Sequence, residues 1–342
     1  MRILIVKLGA IGDIIHTLPA LTAVRSALPE ASIAWAVEKR SAEILRGNPL
    51  IDDLIEVDTR RFRGRHAVAR LPELGRQIRQ LKRRGFDVAI DFQGLLKSAT
   101  IAKMSGAKRR WGFSRRDLRE PASRLFLTDT ITVPEGTHVI KKNLLLAAAA
   151  SGVSDESRDP AFSISTGGPH REEAARIIDR VGGEFALLNP AGGWVTKLWP
   201  AERFGELADL LWQRLKLASV IATGPGEDAL SDAATRASRT GNTISAQPSL
   251  KGFFELAKQA KVYIGGDTGP THLAAAAGAP IVGIFGPTEW WRNGSLNPGD
   301  ICVERTDIGC RVDCHRRRCS KWICMEISVE AVLKAVERRI AG

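Results

Sequence analysis

At 342 residues the chain is longer than one hydrophobic core usually supports, so two domains are expected. Its 44% hydrophobic and 26% charged residues are the balance of a soluble globular protein, and no stretch approaches the roughly 18 to 20 uncharged apolar residues of a membrane span. The net charge of +12 is concentrated: residues 60–124 hold nineteen Lys and Arg against five Asp and Glu, which accounts for the whole basic excess.

In chain order, residues 1–7 carry a charge inside an apolar run and no small-residue cleavage site, which predicts a first β-strand rather than a signal peptide, and a cytoplasmic chain. Short apolar runs predict strands at 2–6, 32–37, 54–57 and 88–91. Between them apolar residues recur at helical spacing, as at Leu71, Leu74, Ile78 and Leu81. A Leu- and Ala-rich helix over 139–150 closes this half, and a stretch rich in Ser, Gly, Asp and Pro follows it. The rhythm then restarts with strands at 185–188, 219–222, 242–245, 262–264 and 281–285, and a helix at 201–215. Such alternation builds parallel, doubly wound sheets. The expected class is α/β, with Rossmann-like domains at 1–152 and 169–325, a linker at 153–168, and a terminal helix at 326–342 able to return to the first domain. Open α/β sheets bind ligands beyond the carboxyl ends of their strands, here in a cleft between the domains.

Three glycine-rich turns carry the chemistry. Lys7-Leu8-Gly9-Ala10-Ile11-Gly12-Asp13 follows the first strand, but Asp13 stands where a dinucleotide fingerprint places its third glycine, and a carboxylate there repels a pyrophosphate. Asp13 is either the cap of the helix that follows or a general base, and spacing leaves the two readings level. Pro19 means that this helix kinks or begins there. The loop from Asn189 to Pro200, with Gly192, Gly193, Thr196 and Lys197, offers a phosphate cradle with one cation between Trp194 and Trp199. Gly265-Gly266-Asp267-Thr268-Gly269-Pro270-Thr271-His272 ends a strand and opens an Ala-rich helix, aiming backbone N–H groups and two threonine hydroxyls at an anion. Asp267 as a simple cap and His272 as a satisfied helix histidine are the plainer alternatives. Glu227, after a neighbouring strand, is placed for ribose hydroxyls.

Of the basic clusters, Lys82 to Arg84 suits a solvated helix face, whereas Arg60, Arg61, Arg63 and Arg65 crowd an irregular stretch suited to a polyanion. All five cysteines lie within the last forty-one residues. Cys310, Cys314, Cys319 and Cys324, with His315 as a spare ligand, leave a structural metal site open, but the spacing lacks paired C-x2-C knuckles and favours reduced thiols.

The opening segment through Ile14-Ile15-His16-Thr17-Leu18-Pro19-Ala20, the segment Asp91-Phe92-Gln93-Gly94-Leu95-Leu96-Lys97-Ser98, Lys197-x-Trp199-Pro200, and Asp267 to Ala274 together resemble the family 9 glycosyltransferases, the heptosyltransferases of lipopolysaccharide inner-core assembly. The likeness spans nearly the whole chain, and the Asp91 segment and Arg60 to Arg65 are most similar to heptosyltransferase I. The resemblance implies a GT-B fold and inverting transfer of L-glycero-D-manno-heptose from ADP-heptose to the Kdo of Kdo2-lipid A, without a cofactor or catalytic metal, at the inner face of the inner membrane. It implies Asp13 as base and Lys197 as the group steadying the departing phosphate. Gly192, Gly193, Thr196, Glu227, Asp267, Thr268, Gly269, Thr271 and His272 would hold the donor; Gly12, Gln93, Arg60, Arg61, Arg63 and Arg65 would hold the acceptor. Heptosyltransferase II or a later core transferase is the alternative within the class. A nicotinamide dehydrogenase is disfavoured by the missing glycine, and a nucleic-acid binder by sparse stacking residues, including a single tyrosine.

Overall fold

The computed structural model describes residues 1–58, 71–152, 160–310, 314 and 316–342, and the side chains of the helix beginning at Leu71 from residue 75 onward. It divides into two compact units, Met1–Ser165 and Thr166–Gly342. The first contains β1 (Arg2–Val6), α1 (Ile11–Ile15), α2 (Leu18–Ala27), β2 (Ser32–Glu38), β3 (Asp53–Val57), α3 (Leu71–Arg83), β4 (Val88–Asp91), α4 (Leu96–Met104), β5 (Arg109–Phe113), β6 (Asp129–Ile131) and α5 (Val139–Ser151). The second contains α6 (Gly168–Val181), β7 (Phe185–Asn189), α7 (Ala201–Leu215), β8 (Ala218–Ala222), α8 (Asp228–Ala237), β9 (Thr243–Ala246), α9 (Leu250–Ala257), β10 (Val262–Gly266), α10 (Gly269–Ala276), β11 (Ile281–Phe285), α11 (Trp290–Asn293), β12 (Ile301–Glu304) and α12 (Val329–Ala341).

Each unit holds one six-stranded sheet, ordered β3-β2-β1-β4-β5-β6 and β12-β11-β10-β7-β8-β9, and every pairing is parallel. The two orders are the same when counted from the first strand of each unit. Helices cover both faces of a parallel sheet, so its central strands are continuous apolar runs; β10 and β11 are buried along their whole length. In each sheet the order reverses beside the first strand, between β1 and β4 and again between β7 and β10. These switch points are where a doubly wound sheet opens a crevice at its carboxyl edge.

Pro19 is the second residue of α2, so the helix expected after Asp13 stops at Ile15 and restarts, as one of the two sequence expectations held. Three strands at or next to a sheet edge escape the sequence pattern. β5 begins with Arg109 and Arg110, which read as a charge cluster; in the sheet Arg109 pairs with Asp129 on β6 at 3.1 Å and lies over Trp111 at 4.9 Å. Arg110 donates to the carbonyls of Phe126 and Ala107. Part of the basic excess therefore staples this edge and is not offered to a polyanion. β6 and β12 are too short and too exposed to show a pattern.

The terminal helix belongs to the second unit: Val332, Leu333, Ala335 and Val336 of α12 are buried with Leu188, Ile264, Val282 and Ile284 in its core, and Arg339 binds Asp300 at 2.8 Å. Its apolar stripe closes the sheet face that α7 leaves open. The unit boundary falls at Ser165, inside the expected 153–168 linker, of which 153–159 lie outside the described residues.

Gly205 on α7 lets α8 pack directly against the backbone of α7. A Cβ there would overlap the carbonyl oxygen of Ala234 and stand 2.8 Å from the Ala237 Cβ on α8. Gly205→Ala should therefore lower stability by about 1–3 kcal/mol, the usual cost of overpacking, measured by urea denaturation; a neutral substitution would mean that α7 and α8 can part freely.

Candidate active site

The turn after β1 lies at the first switch point. Gly9 has φ +154°, and a Cβ there would press on the Ser41 hydroxyl at 3.3 Å, so the turn needs a glycine. The side-chain carbonyl of Gln93, from the turn after β4, accepts the N–H of Leu8 at 3.0 Å and of Gly9 at 3.3 Å. Gln93, expected among the acceptor contacts, is thus first a clamp on the Asp13 turn. Beneath it Asp91 is buried; its carboxylate accepts the N–H groups of Gln93 at 2.9 Å and Gly94 at 3.3 Å and the Ser98 hydroxyl at 2.9 Å. Burial pushes its pKa up to about 6, against the pull of those donors and of Lys7. Lys7 itself is buried and donates to the Phe92 carbonyl at 2.9 Å.

Asp13, in the first turn of α1, accepts the Ala10 N–H through Oδ2 at 3.1 Å. It is therefore a cap, but a half-used one: among the described residues Oδ1 has no partner, and the side chain is only partly buried. Capping through one oxygen leaves the other for proton transfer, so the two readings of this residue are compatible. Gly12 is buried beside it. Arg60, Arg61, Arg63 and Arg65 lie outside the described residues.

The second unit places two turns side by side at its own switch point. The loop after β7 lies against the turn after β10: a Cβ on Gly192 would stand 3.7 Å from the Thr268 methyl, and one on Gly266 would stand 3.2 Å from the Lys197 carbonyl. Lys197 Nζ donates to Asp267 Oδ2 at 2.5 Å and to the Asp267 carbonyl at 3.2 Å, and it stands 4.4 Å from the Trp194 ring centroid. On the other side His272 Nε2 binds Asp267 Oδ1 at 3.2 Å. Burial alone would raise the Asp267 pKa; the His272 hydrogen bond and charge and the nearby Lys197 reverse this and hold the carboxyl well below the usual carboxylate range. Asp267 is therefore not the cap of α10, whose N-cap is Thr268, while His272 is a buried helix histidine satisfied by Asp267.

α10 starts at Gly269 with Pro270 next, so the N–H groups of Gly269 and Thr271 have no acceptor inside the helix and face outward from its positive end. The threonine hydroxyls behave otherwise than the sequence suggests. Thr271 gives its one proton to the Gly266 carbonyl, so the Tyr263 hydroxyl, at 3.0 Å, and the Thr268 hydroxyl, at 3.2 Å, must each donate to Thr271. Both threonine protons point inward, and what remains for an anion is backbone. Thr196 is buried as well, its hydroxyl donating to the Arg316 carbonyl at 2.6 Å, so it fastens the loop. Gly193 is open on its Cβ side. Glu227, at the start of α8, accepts the Gly224 N–H at 2.6 Å and is partly buried.

Sequence reasoning missed Thr223 and Thr288. Each leaves a buried hydroxyl without a partner among the described residues, as does the Asn189 side-chain carbonyl; the three follow or end β8, β11 and β7 at the carboxyl edge of the sheet. Orphaned buried polar atoms at that edge are what a ligand-ready crevice leaves behind. Among the described residues no group of three or more His, Cys, Asp or Glu side chains that could hold a metal ion is found, and His315 lies outside them. Cys310, Cys314, Cys319 and Cys324 are in no disulfide; Cys319 is exposed and Cys324 half-buried, where burial and the neighbouring thiols push its pKa up.

The profile of glycosyltransferase family 9 (heptosyltransferase) matches residues 74–322. The chain belongs to glycosyltransferase family 9. It is 31% identical to lipopolysaccharide heptosyltransferase 1 of Pseudomonas aeruginosa over 94% of this chain and 88% of that one, and 30% identical to the protein of that name in Escherichia coli K12, over 84% and 89%. The solved structure of the E. coli heptosyltransferase WaaC with ADP superposes with a TM-score of 0.79 at 25% identity, covering 99% of this chain and all of that one. The family 9 chain is a glycosyltransferase of the GT-B class, as its two Rossmann-like sheets show.

Asp91 supports a test of the clamp. A carboxyl whose folded pKa is about 6, above the ordinary 3.8, binds more protons folded than unfolded between those values, so its contribution weakens stability as pH rises from 3.8 to 6. The effect amounts to about 3 kcal/mol. Asp91→Asn should flatten that part of the stability curve relative to wild type in pH-dependent thermal melts; parallel curves would place the titration elsewhere.

Proposed function

We propose that this transferase moves L-glycero-D-manno-heptose from ADP-heptose to the Kdo of Kdo2-lipid A, with inversion, in lipopolysaccharide inner-core synthesis. The observation that carries the reading is the Lys197–Asp267–His272 cluster set against the open N-terminus of α10. A sugar diphosphate leaves with growing negative charge on its bridging oxygen. A lysine ammonium and two aligned backbone N–H groups meet that charge without rearrangement, which is the electrostatic part of catalysis. Glu227 is suited to the ribose, through the oxygen that Gly224 does not take.

Asp13 is the base in this mechanism. Its unpaired oxygen accepts the proton of the acceptor hydroxyl while that oxygen attacks the anomeric carbon from the face opposite the diphosphate, so the bond to ADP breaks as the new glycosidic bond forms. The Gln93 clamp fixes the turn from which Asp13 acts. The acceptor is an anionic lipid, and we assign its phosphates and carboxylates to Arg60, Arg61, Arg63 and Arg65 and the adjoining basic surface, with peripheral attachment at the inner face of the inner membrane. No described helix is long and apolar enough to cross a membrane.

Asp13→Ala should cut transfer by roughly 10²- to 10⁴-fold with ADP affinity unchanged, read by mass spectrometry and by calorimetry; near-normal turnover would reduce Asp13 to a cap. Lys197→Ala should weaken turnover and ADP binding together, and an unchanged ADP affinity would remove its phosphate role. Incubation of wild type with ADP-heptose and Kdo2-lipid A in EDTA should yield an acceptor heavier by one heptose. Extension of an already heptosylated acceptor instead would move the enzyme one step later in the same assembly.

A further inference from the structure

The Lys197 cluster has an electrostatic shortfall. Its ammonium is matched at 2.5 Å by the Asp267 carboxylate, so the pair presents almost no net charge to an incoming diphosphate. The N-terminus of α10 adds about half an elementary charge. A nucleoside diphosphate sugar carries two negative charges, and the departing diphosphate carries more. A second cation is needed close to Lys197, and the cysteine-rich tail brings one.

The tail is tied to the Lys197 loop at the first residue of a three-arginine run, Arg316 to Arg318, and again beyond it at Trp322. Thr196 donates its hydroxyl to the Arg316 carbonyl at 2.6 Å, and the Trp322 indole N–H donates to the Thr196 carbonyl at 2.9 Å. Between these two anchors, the guanidinium of Arg317 stands over the Trp194 ring, 5.1 Å from its centroid, and the Lys197 ammonium stands over the same ring at 4.4 Å. Two cations are thus centred on one indole. They differ in their balance: Lys197 is neutralised by Asp267, whereas Arg317 is exposed and has no carboxylate partner among the described residues. Stacking on the indole restricts a long side chain before any ligand arrives, which reduces the entropy lost on binding, and a guanidinium presents a planar fork of donors that matches two phosphate oxygens. The chain turns just beyond it, where the backbone N–H of Trp322 donates to the Cys319 sulfur at 3.3 Å.

We propose that Arg317 is the second cation of the donor site, binding the diphosphate of the nucleotide sugar and staying with it as it departs. The tail is then part of the donor site. This rests on the reading of the second unit as the nucleotide-sugar site and adds a residue to it.

The test is Arg317→Gln, which removes the charge and keeps much of the stem, and Arg317→Glu, which reverses it, each with ADP as the probe. Arg317 is exposed, so neither change disturbs a core, and a thermal melt alongside checks this. By calorimetry at low salt ADP affinity should fall roughly ten- to a hundredfold in Arg317→Gln, the range that loss of a charge-assisted hydrogen bond supports, and further in Arg317→Glu, with adenosine affinity unchanged. Transfer by both variants should fall in step. ADP affinity within twofold of wild type in both variants overturns the proposal, as does an equal loss for ADP and adenosine, which would make Arg317 a packing residue of the loop. Wild type that binds ADP but moves no heptose would sink the transfer reading alone; wild type that binds no ADP would sink both.

Discussion

The second unit is organised around a single buried carboxylate. Asp267 could not stay ionised in that position alone, since a carboxylate taken out of water without partners costs several kcal/mol. Lys197 on one oxygen and His272 on the other make its burial tolerable, and by doing so they join three pieces of chain: the loop after β7, the end of β10 and the first turn of α10. Removing the carboxylate would leave a largely buried ammonium without its counter-ion, so the loop and the helix end hold one another through this one group. The same arrangement tempers Lys197. In the proposed donor site an incoming phosphate would share the ammonium with Asp267, which favours a ligand that arrives with further contacts over a stray anion.

The first unit meets the corresponding problem without a direct ion pair to its buried carboxylate among the described residues. Its turn lies at the same point of an identically ordered sheet, but an amide, Gln93, holds the backbone, and the buried carboxylate beneath, Asp91, is satisfied by two N–H groups and a hydroxyl. One topology thus hosts two arrangements, a charged cluster after β10 and an amide clamp after β1.

How far the sequence reveals this follows from the range of the interactions. The central strands are legible because burial on both faces forces continuous apolar runs, as in β1, β4 and β11. The turns are legible because glycines after a strand have few other uses. Asp13, Lys197 and Asp267 stand out locally by residue type. What is lost is partnership. Nothing near Thr271 announces that its proton goes to Gly266, nor does the glutamine at 93 show that it binds residues 8 and 9. Arg109 and Arg110 look like free cations until a strand at 129–131 and two carbonyls claim them.

The Lys197 loop is the strongest case. It contains no more than a single 3-10 turn, Val195–Lys197, and its position is set from more than a hundred residues away. The Trp199 indole donates to the Ile327 carbonyl at 2.9 Å, the Trp322 indole donates to Thr196, and Thr196 donates to Arg316. Two tryptophans beside a lysine are hard to explain as surface, and the structure supplies the reason: one, with its indole, ties the loop to the strand-free segment leading into α12, and the other is the face on which the cations rest. Three long-range hydrogen bonds on a short irregular loop leave its lysine little freedom. In the proposed role, a cation held in place before the ligand arrives needs no reorganisation when charge develops on the departing phosphate, and that prior placement, more than the charge itself, is what such a role would require of the surroundings of Lys197.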